Sequence, residues 1–233
     1  MKTQKPLIAI VVVLFLGALA CSSISNFVAT PTPLPTLTPV PTLTPTPIPV
    51  VVLFELADFT EDDCSFDSTE SVDRFEENGQ YHMVIKSSAY IGWSECTQEE
   101  FDDFVLETDM SQVSGPDINY YGVIFRFALD GNDFYLFTIS GDGKYAFGID
   151  GTERKETELL VDWTDSPAIN QGAQTNHVKI VAVGNSILFY VNDQFLQEVH
   201  DDHLTTGTTG FVAGSLDEGN VHVSFDNLKV TEP

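Results

Sequence analysis

The stretch NHVKIVAVGNSILFYVNDQFLQEV, Asn176–Val199, decides how this chain is read. Val178, Ile180 and Ala182 alternate with His177, Lys179, Val181 and Val183, and after Gly184-Asn185 the period of two resumes at Ile187, Phe189 and Val191. Asn192-Asp193 turns the chain again, and both residues tolerate the positive φ that a tight hairpin needs to match the twist of its strands. The spacing predicts three consecutive antiparallel strands with one face turned toward a core.

The same pattern extends to both sides. After the turn at Glu76–Gln80, Tyr81, Met83 and Ile85 alternate with His82, Val84 and Lys86. Phe104–Met110 places Phe104, Leu106, Thr108 and Met110 on one face and Val105, Glu107 and Asp109 on the other. Tyr120–Leu129 and Phe134–Ser140 read as a hairpin across Asp130-Gly131-Asn132, and Asp142-Gly143 turns the chain into Tyr145–Ile149. Val50–Leu56, Gly210–Ala213 and Val221–Val230 are further strand candidates. Turn signals recur about every ten residues, the signature of an all-β sandwich or barrel, here of roughly ten to twelve strands. The one helical hint, the capping-box pattern Thr97-Gln98-Glu99-Glu100, is too short to alter that class.

The N-terminus has a different organisation. Lys2 and Lys5 precede an apolar run from Leu7 to Phe15, followed by Leu16-Gly17-Ala18-Leu19-Ala20-Cys21. A basic start, a short apolar core and small residues at a cleavage point make residues 1–20 a secretory signal, and the run is shorter than the about twenty residues a spanning helix needs. It resembles a bacterial lipoprotein signal, which implies a diacylglycerol thioether on Cys21 and an anchor on the outer face of the cell membrane. That pattern usually has Leu three places before the Cys, where this chain has Ala18, so ordinary cleavage after Ala18-Leu19-Ala20 is the rival reading. Residues 21–49 form a Thr/Pro-rich linker, with eight prolines between Thr30 and Pro49. Proline fixes φ and lacks a donor, so the segment is expected in polyproline II, a semi-rigid stalk of about 60 Å if extended. About 184 residues remain for one domain, 50–233, and their Phe, Tyr and Trp content supplies a core with no cofactor required for folding.

The charge excludes one class of partner. The chain has 35 acidic and 10 basic side chains, a formal net charge of −25, and loses two of its lysines with the signal. Nucleic acid is not expected, because phosphate binding needs clustered Lys and Arg. Cys21 aside, Cys64 and Cys96 remain, and in an oxidising compartment they are expected to form a disulfide; two free thiols are the alternative.

Several strings together carry a family resemblance: YYGVIFRF (Tyr120–Phe127), FYLFTISGDGKY (Phe134–Tyr145), GIDG (Gly148–Gly151), VDW (Val161–Trp163), SPAIN (Ser166–Asn170), the Asn176–Asp193 stretch and SFDNLKV (Ser224–Val230). They resemble concanavalin A-like jelly-roll domains, in particular the bacterial extracellular ones grouped with laminin-G-like, 3-keto-disaccharide hydrolase and family 16 glycoside hydrolase-like domains. The resemblance spans nearly all of residues 54–230. It implies two stacked antiparallel sheets, one of them concave, with carbohydrate binding the commonest role of that concave face.

Chemistry is harder to place. Family 16 glycoside hydrolases carry Glu-x-Asp-x-x-Glu, and the nearest string here is Glu107-Thr108-Asp109-Met110-Ser111-Gln112. An amide at Gln112 cannot deliver the proton that a glycosidic leaving group requires, so no catalytic residue is assigned. His200-Asp201-Asp202-His203 follows a strand end and reads as a turn more than as a zinc site. Asp58 and Asp226, near the first and last strands, are the candidate ligands for a structural calcium, with a turn through Asn227 as the other role for Asp226. Tyr90, Trp93, Tyr121, Arg126 and Tyr135 are the candidate sugar contacts, since ring faces stack on pyranoses and hydroxyls need fixed partners, while Trp163 reads as structural. The expectation is a lipid-anchored, non-catalytic carbohydrate-binding module facing cell-surface or environmental polysaccharide. Two rivals stand beside it: a glycoside hydrolase-like enzyme with an atypical site on the concave face, and a structural or adhesion domain that binds a protein partner.

Overall fold

The computed structural model describes residues 49–65, 67–128 and 133–233. The signal at 1–20, Cys21, the linker up to residue 48 and the turn at Leu129–Asn132 lie outside them.

The described residues contain no helix and fold into fourteen strands: β1 (Val52–Leu56), β2 (Val72–Glu77), β3 (Gln80–Ile85), β4 (Tyr90–Glu95), β5 (Phe104–Ser114), β6 (Asn119–Phe127), β7 (Asp133–Ile139), β8 (Lys144–Gly151), β9 (Glu158–Asp165), β10 (Thr175–Val183), β11 (Ser186–Val191), β12 (Gln194–His200), β13 (Thr208–Ser215) and β14 (Val221–Thr231). All pairings are antiparallel. An eight-stranded sheet runs β12-β11-β10-β5-β14-β3-β2 with β1 added on β14, and a six-stranded sheet runs β4-β13-β6-β7-β8-β9. This is the all-β jelly-roll sandwich expected. It has more strands than the ten to twelve that the pattern indicates, because alternation does not mark β2, β4 and β9. Thr97–Glu100 forms no helix; the Thr97 hydroxyl accepts a hydrogen bond from the Glu99 amide instead (2.9 Å).

The meander β10-β11-β12 follows the sequence pattern closely. Val178, Ile180, Ala182, Ile187, Phe189 and Val191 are all fully buried, and Asn192 and Asp193 take φ of 51° and 62° in the two-residue turn that joins β11 to β12. The inner faces of the two sheets meet in one core, where Phe137 of β7 stacks on Phe189 of β11 (4.5 Å between centroids, 8° between planes) and Phe211 of β13 on Phe225 of β14 (4.2 Å, 15°). Such pairs contribute about 0.5–1.5 kcal/mol each beyond the area they bury, and here they join one sheet to the other.

Two further links fix the edge at β4. Cys64 and Cys96 form the expected disulfide, tying the segment after β1 to the end of β4. Arg74 of β2 donates to the Ser94 hydroxyl (2.8 Å) and to the Trp93 carbonyl (3.0 Å), so an edge strand of one sheet holds an edge strand of the other.

Candidate functional site

The outward face of the six-stranded sheet is apolar at its centre. Ile124, Phe134, Leu136 and Val212 form a second hydrophobic cluster separate from the main core, with Ile91, Trp93 and Phe127 packed against it. Trp93 meets Phe134 at 5.3 Å between centroids, and Phe127 meets Phe134 edge-on at 5.4 Å. Farther along the face the floor is made of small side chains, Ala146 and Gly148, and at that end two aromatic rings stand together: Tyr120 of β6 and Trp163 of β9, 6.1 Å apart and tilted by 54°.

Trp163 divides two depressions. One, of about 320 Å³, is lined by Ile118, Asn119, Ser140, Asp142, Lys144, Trp163 and Leu216. The other, of about 180 Å³, is lined by Tyr120, Leu136, Thr138, Ala146, Gly148, Thr157, Leu159, Trp163 and Leu216. Leu216 and Leu159 are each 40% exposed and Ile118 is 55% exposed, a concentration of accessible apolar surface around the Trp. An exposed apolar patch with a polar rim marks a binding surface more than a solvated face.

The polar side of the larger depression is ordered. The Lys144 ammonium pairs with Asp142 and lies 3.8 Å from Asp165, and the Ser140 hydroxyl donates to Asp142. Desolvation pushes the Asp142 carboxyl up, but the Lys144 and Ser140 hydrogen bonds outweigh it and hold the group below the usual carboxylate range. Burial pushes the Tyr120 hydroxyl up to about 12, so it stays protonated and able to donate. The loop behind is braced by Asn119, which donates to Gln112 (2.8 Å) and to the Pro116 carbonyl (2.6 Å) and accepts from the Gly141 amide (3.1 Å). The arrangement offers ring faces, donors and acceptors in fixed positions. It offers no carboxyl poised to release a proton at Asp142.

The sequence-derived residues scatter. Tyr121 and Tyr135 are fully buried in the main core and have no free face to stack on a sugar. Arg126 is likewise fully buried, and its guanidinium donates to the carbonyls of Leu204 (3.1 Å), Asp102 (2.9 Å) and Gly184 (2.9 Å), holding three loops together. These three are corrected from sugar contacts to structural residues. Tyr90 packs on the main core and Trp93 on the outer cluster, so of the original five only Trp93 lies on the face described above. Trp163, read as structural, stands at the centre of the accessible surface.

Glu107 and Asp109 point outward from the opposite, eight-stranded sheet, where His177 bonds Asp109 (2.8 Å), whereas Gln112 is 4% exposed and donates to Gly115 and Asp117. Asp226 accepts from Gln80 (3.0 Å) and from the Asn227 amide (2.9 Å) within β14, at the point where the β14–β5 register shifts, and Asp58 is exposed. No group of three or more His, Cys, Asp or Glu among the described residues is placed to hold a metal ion. In the His200–His203 segment, Asp201 accepts from the Tyr135 hydroxyl and His203 reaches Asp133 (3.1 Å).

The sequence profile of the 3-keto-alpha-glucoside-1,2-lyase-like domain matches residues 56–231. A search by sequence among curated proteins finds no match. Among solved structures, a Bacillus subtilis protein of unknown function with a galectin-like fold superposes with a TM-score of 0.60 at 12% identity, covering 78% of this chain and 96% of that one. The GH16 protein of the Bacteroides ovatus mixed linkage glucan PUL, solved with product, superposes at 0.55 with 9% identity, covering 77% and 100%. An endo-acting O-glycanase from the human gut microbiota, linked to the initiation of mucin breakdown, also reaches 0.55 at 9% identity over 78% and 99%. At these identities the likeness is one of fold.

Proposed function

We propose, from the premise that this chain belongs to the 3-keto-alpha-glucoside-1,2-lyase-like domain family, that it is a glycan-binding module held at the cell surface by a lipid on Cys21, with its ligand on the outward face of the six-stranded sheet. The Tyr120–Trp163 pair carries the reading: two partly exposed rings from different strands, flanked by two depressions and an ordered polar rim. A pyranose presents a C–H face that stacks on indole and hydroxyls that bond in the ring plane, and this rim supplies Lys144 and Asp142 at the edge of the rings. The enzymatic rival requires a carboxyl kept protonated until it meets the leaving group, and Asp142 is held in the opposite direction. A polysaccharide screen tests the reading: the wild type binds a glycan that Trp163→Ala does not, and releases no reducing sugar from it. Sugar release abolished by a single carboxylate substitution would replace binding with catalysis.

The cell-surface location is supported by the Ala20-Cys21 junction and the proline-rich stalk. Cys21→Ser is expected to move the protein from the membrane fraction to the soluble one; a substituted protein that still partitions into detergent would remove the lipid from the account.

A further inference from the structure

On the outward face of the eight-stranded sheet, away from the aromatic pair, two imidazoles meet. His82 of β3 and His222 of β14 sit on adjacent strands, diagonal in register because His82 pairs with Ser224 and His222 with Val84. Their ring nitrogens, Nδ1 of His82 and Nε2 of His222, are 3.0 Å apart. We propose that this pair is a two-imidazole chelate for a divalent transition-metal ion of the copper(II), nickel(II) or zinc(II) kind.

The separation of the two ring nitrogens, 3.0 Å, is one that a shared ion can bridge. Two imidazole nitrogens each about 2.0–2.1 Å from a shared ion, in neighbouring coordination positions, lie about 3 Å apart. Both rings come from interior strands of the sheet, so their backbones are fixed in advance of binding. Phe75, directly across from His82 on β2, stacks parallel to it (5.0 Å, 2° between planes) and lies 5.8 Å from the His222 ring, setting the orientation of the first and limiting that of the second.

Charge and protonation favour a cation. Burial lowers the pKa of both imidazoles, more than the Glu76 and Glu77 carboxylates near His82 and the Glu77 carboxylate near His222 raise them. The rings are therefore neutral ligands at pH 7, in an acidic setting. Imidazole nitrogen selects borderline transition metals over calcium or magnesium, which take oxygen, and the usual order of affinities places copper(II) first. With two protein ligands, the remaining positions go to water or to a donor from outside the chain.

The test is a calorimetric titration of the full chain, without a polyhistidine tag, with copper(II) and with calcium as the control ion. The expected result is one copper per chain, lost in His222→Gln and in His82→Gln, retained in a His200→Gln, His203→Gln double variant, and no calcium response at the pair. Because His82 is 5% exposed and its substitution can disturb folding, proton NMR of the wild type with substoichiometric copper(II) supplies a second readout. Selective broadening of the His82 and His222 ring signals supports the site. Absence of copper binding, copper binding that survives both single substitutions, or broadening confined to His177, His200 and His203 overturns it.

Discussion

At the scale of single residues, the aromatic pair depends on a glycine. Gly214 of β13 lies opposite Tyr120 in register, and a Cβ added there would sit 2.0 Å from the Tyr120 ring. The ring is the movable partner, so Gly214→Ala is expected to fold and to push Tyr120 out of line with Trp163. The readout is glycan affinity measured beside melting temperature, with affinity falling and the transition nearly unmoved; equal affinity would mean that Tyr120 does not touch the ligand. His82 and His222 give a second residue-scale prediction. Their folded pKa values lie below the unfolded value of about 6.5, so their contribution is complete above that pH and is lost as pH falls through the lowered folded values. Chemical denaturation from pH 7 to pH 5 should show an acid decline that is shallower in His222→Gln than in the wild type.

Residues also show where alternation misleads. Trp163 is two positions from the buried Val161, and strict alternation puts both on the inner face, but the β8–β9 register shifts between Tyr145 and Phe147 and one extra residue in β9 turns the indole outward. Arg126 fails in the other direction. The register between β6 and β13 shifts at Thr208 and Thr209, Arg126 takes φ of 51°, and a side chain expected to contact sugar ends inside the protein. A bulge leaves no mark in a pattern of period two, and the Tyr120–Trp163 partnership joins strands separated by two others in the sheet.

At the scale of elements, the strands that alternation does not show share one position in the sheets. The interior strands β10, β11 and β14 announce themselves because every second side chain is buried. The strands that were missed, β2, β4 and β9, are all edge strands. Their side chains are mostly partly buried or exposed, with Asp73, Arg74, Glu76 and Glu77 on β2 and Glu158, Asp162 and Asp165 on β9, as suits strands whose outer edge must discourage further pairing. Two of these edges carry the site's tryptophans, so the least legible elements include those that matter most for ligand. The Cys64–Cys96 link belongs to this scale too, because it secures one of those edges. With its ends separated by 32 positions in sequence, its removal in a Cys64→Ser, Cys96→Ser variant is expected to cost about 3–4 kcal/mol in denaturant unfolding. A variant as stable as the wild type would show that Arg74 and the main core hold β4 unaided.

At the scale of the whole molecule, the sandwich separates two outward faces of different chemistry. One carries partly exposed rings over an apolar floor; the other carries His82, His222, His177 and the carboxylates of Asp109 and Asp226. With a net charge of −25 the chain repels polyanions, and stacking with neutral hydroxyl contacts is the form of recognition such a surface permits. The central claim is that glycan binds at the Tyr120–Trp163 pair, and the most direct measurement is calorimetric titration of the wild type and Trp163→Ala with a neutral oligosaccharide found by screening. The account predicts saturable binding by the wild type and at least tenfold weaker binding by the variant, ~1.4 kcal/mol, at an unchanged melting temperature. Equal affinity in the two proteins would contradict it.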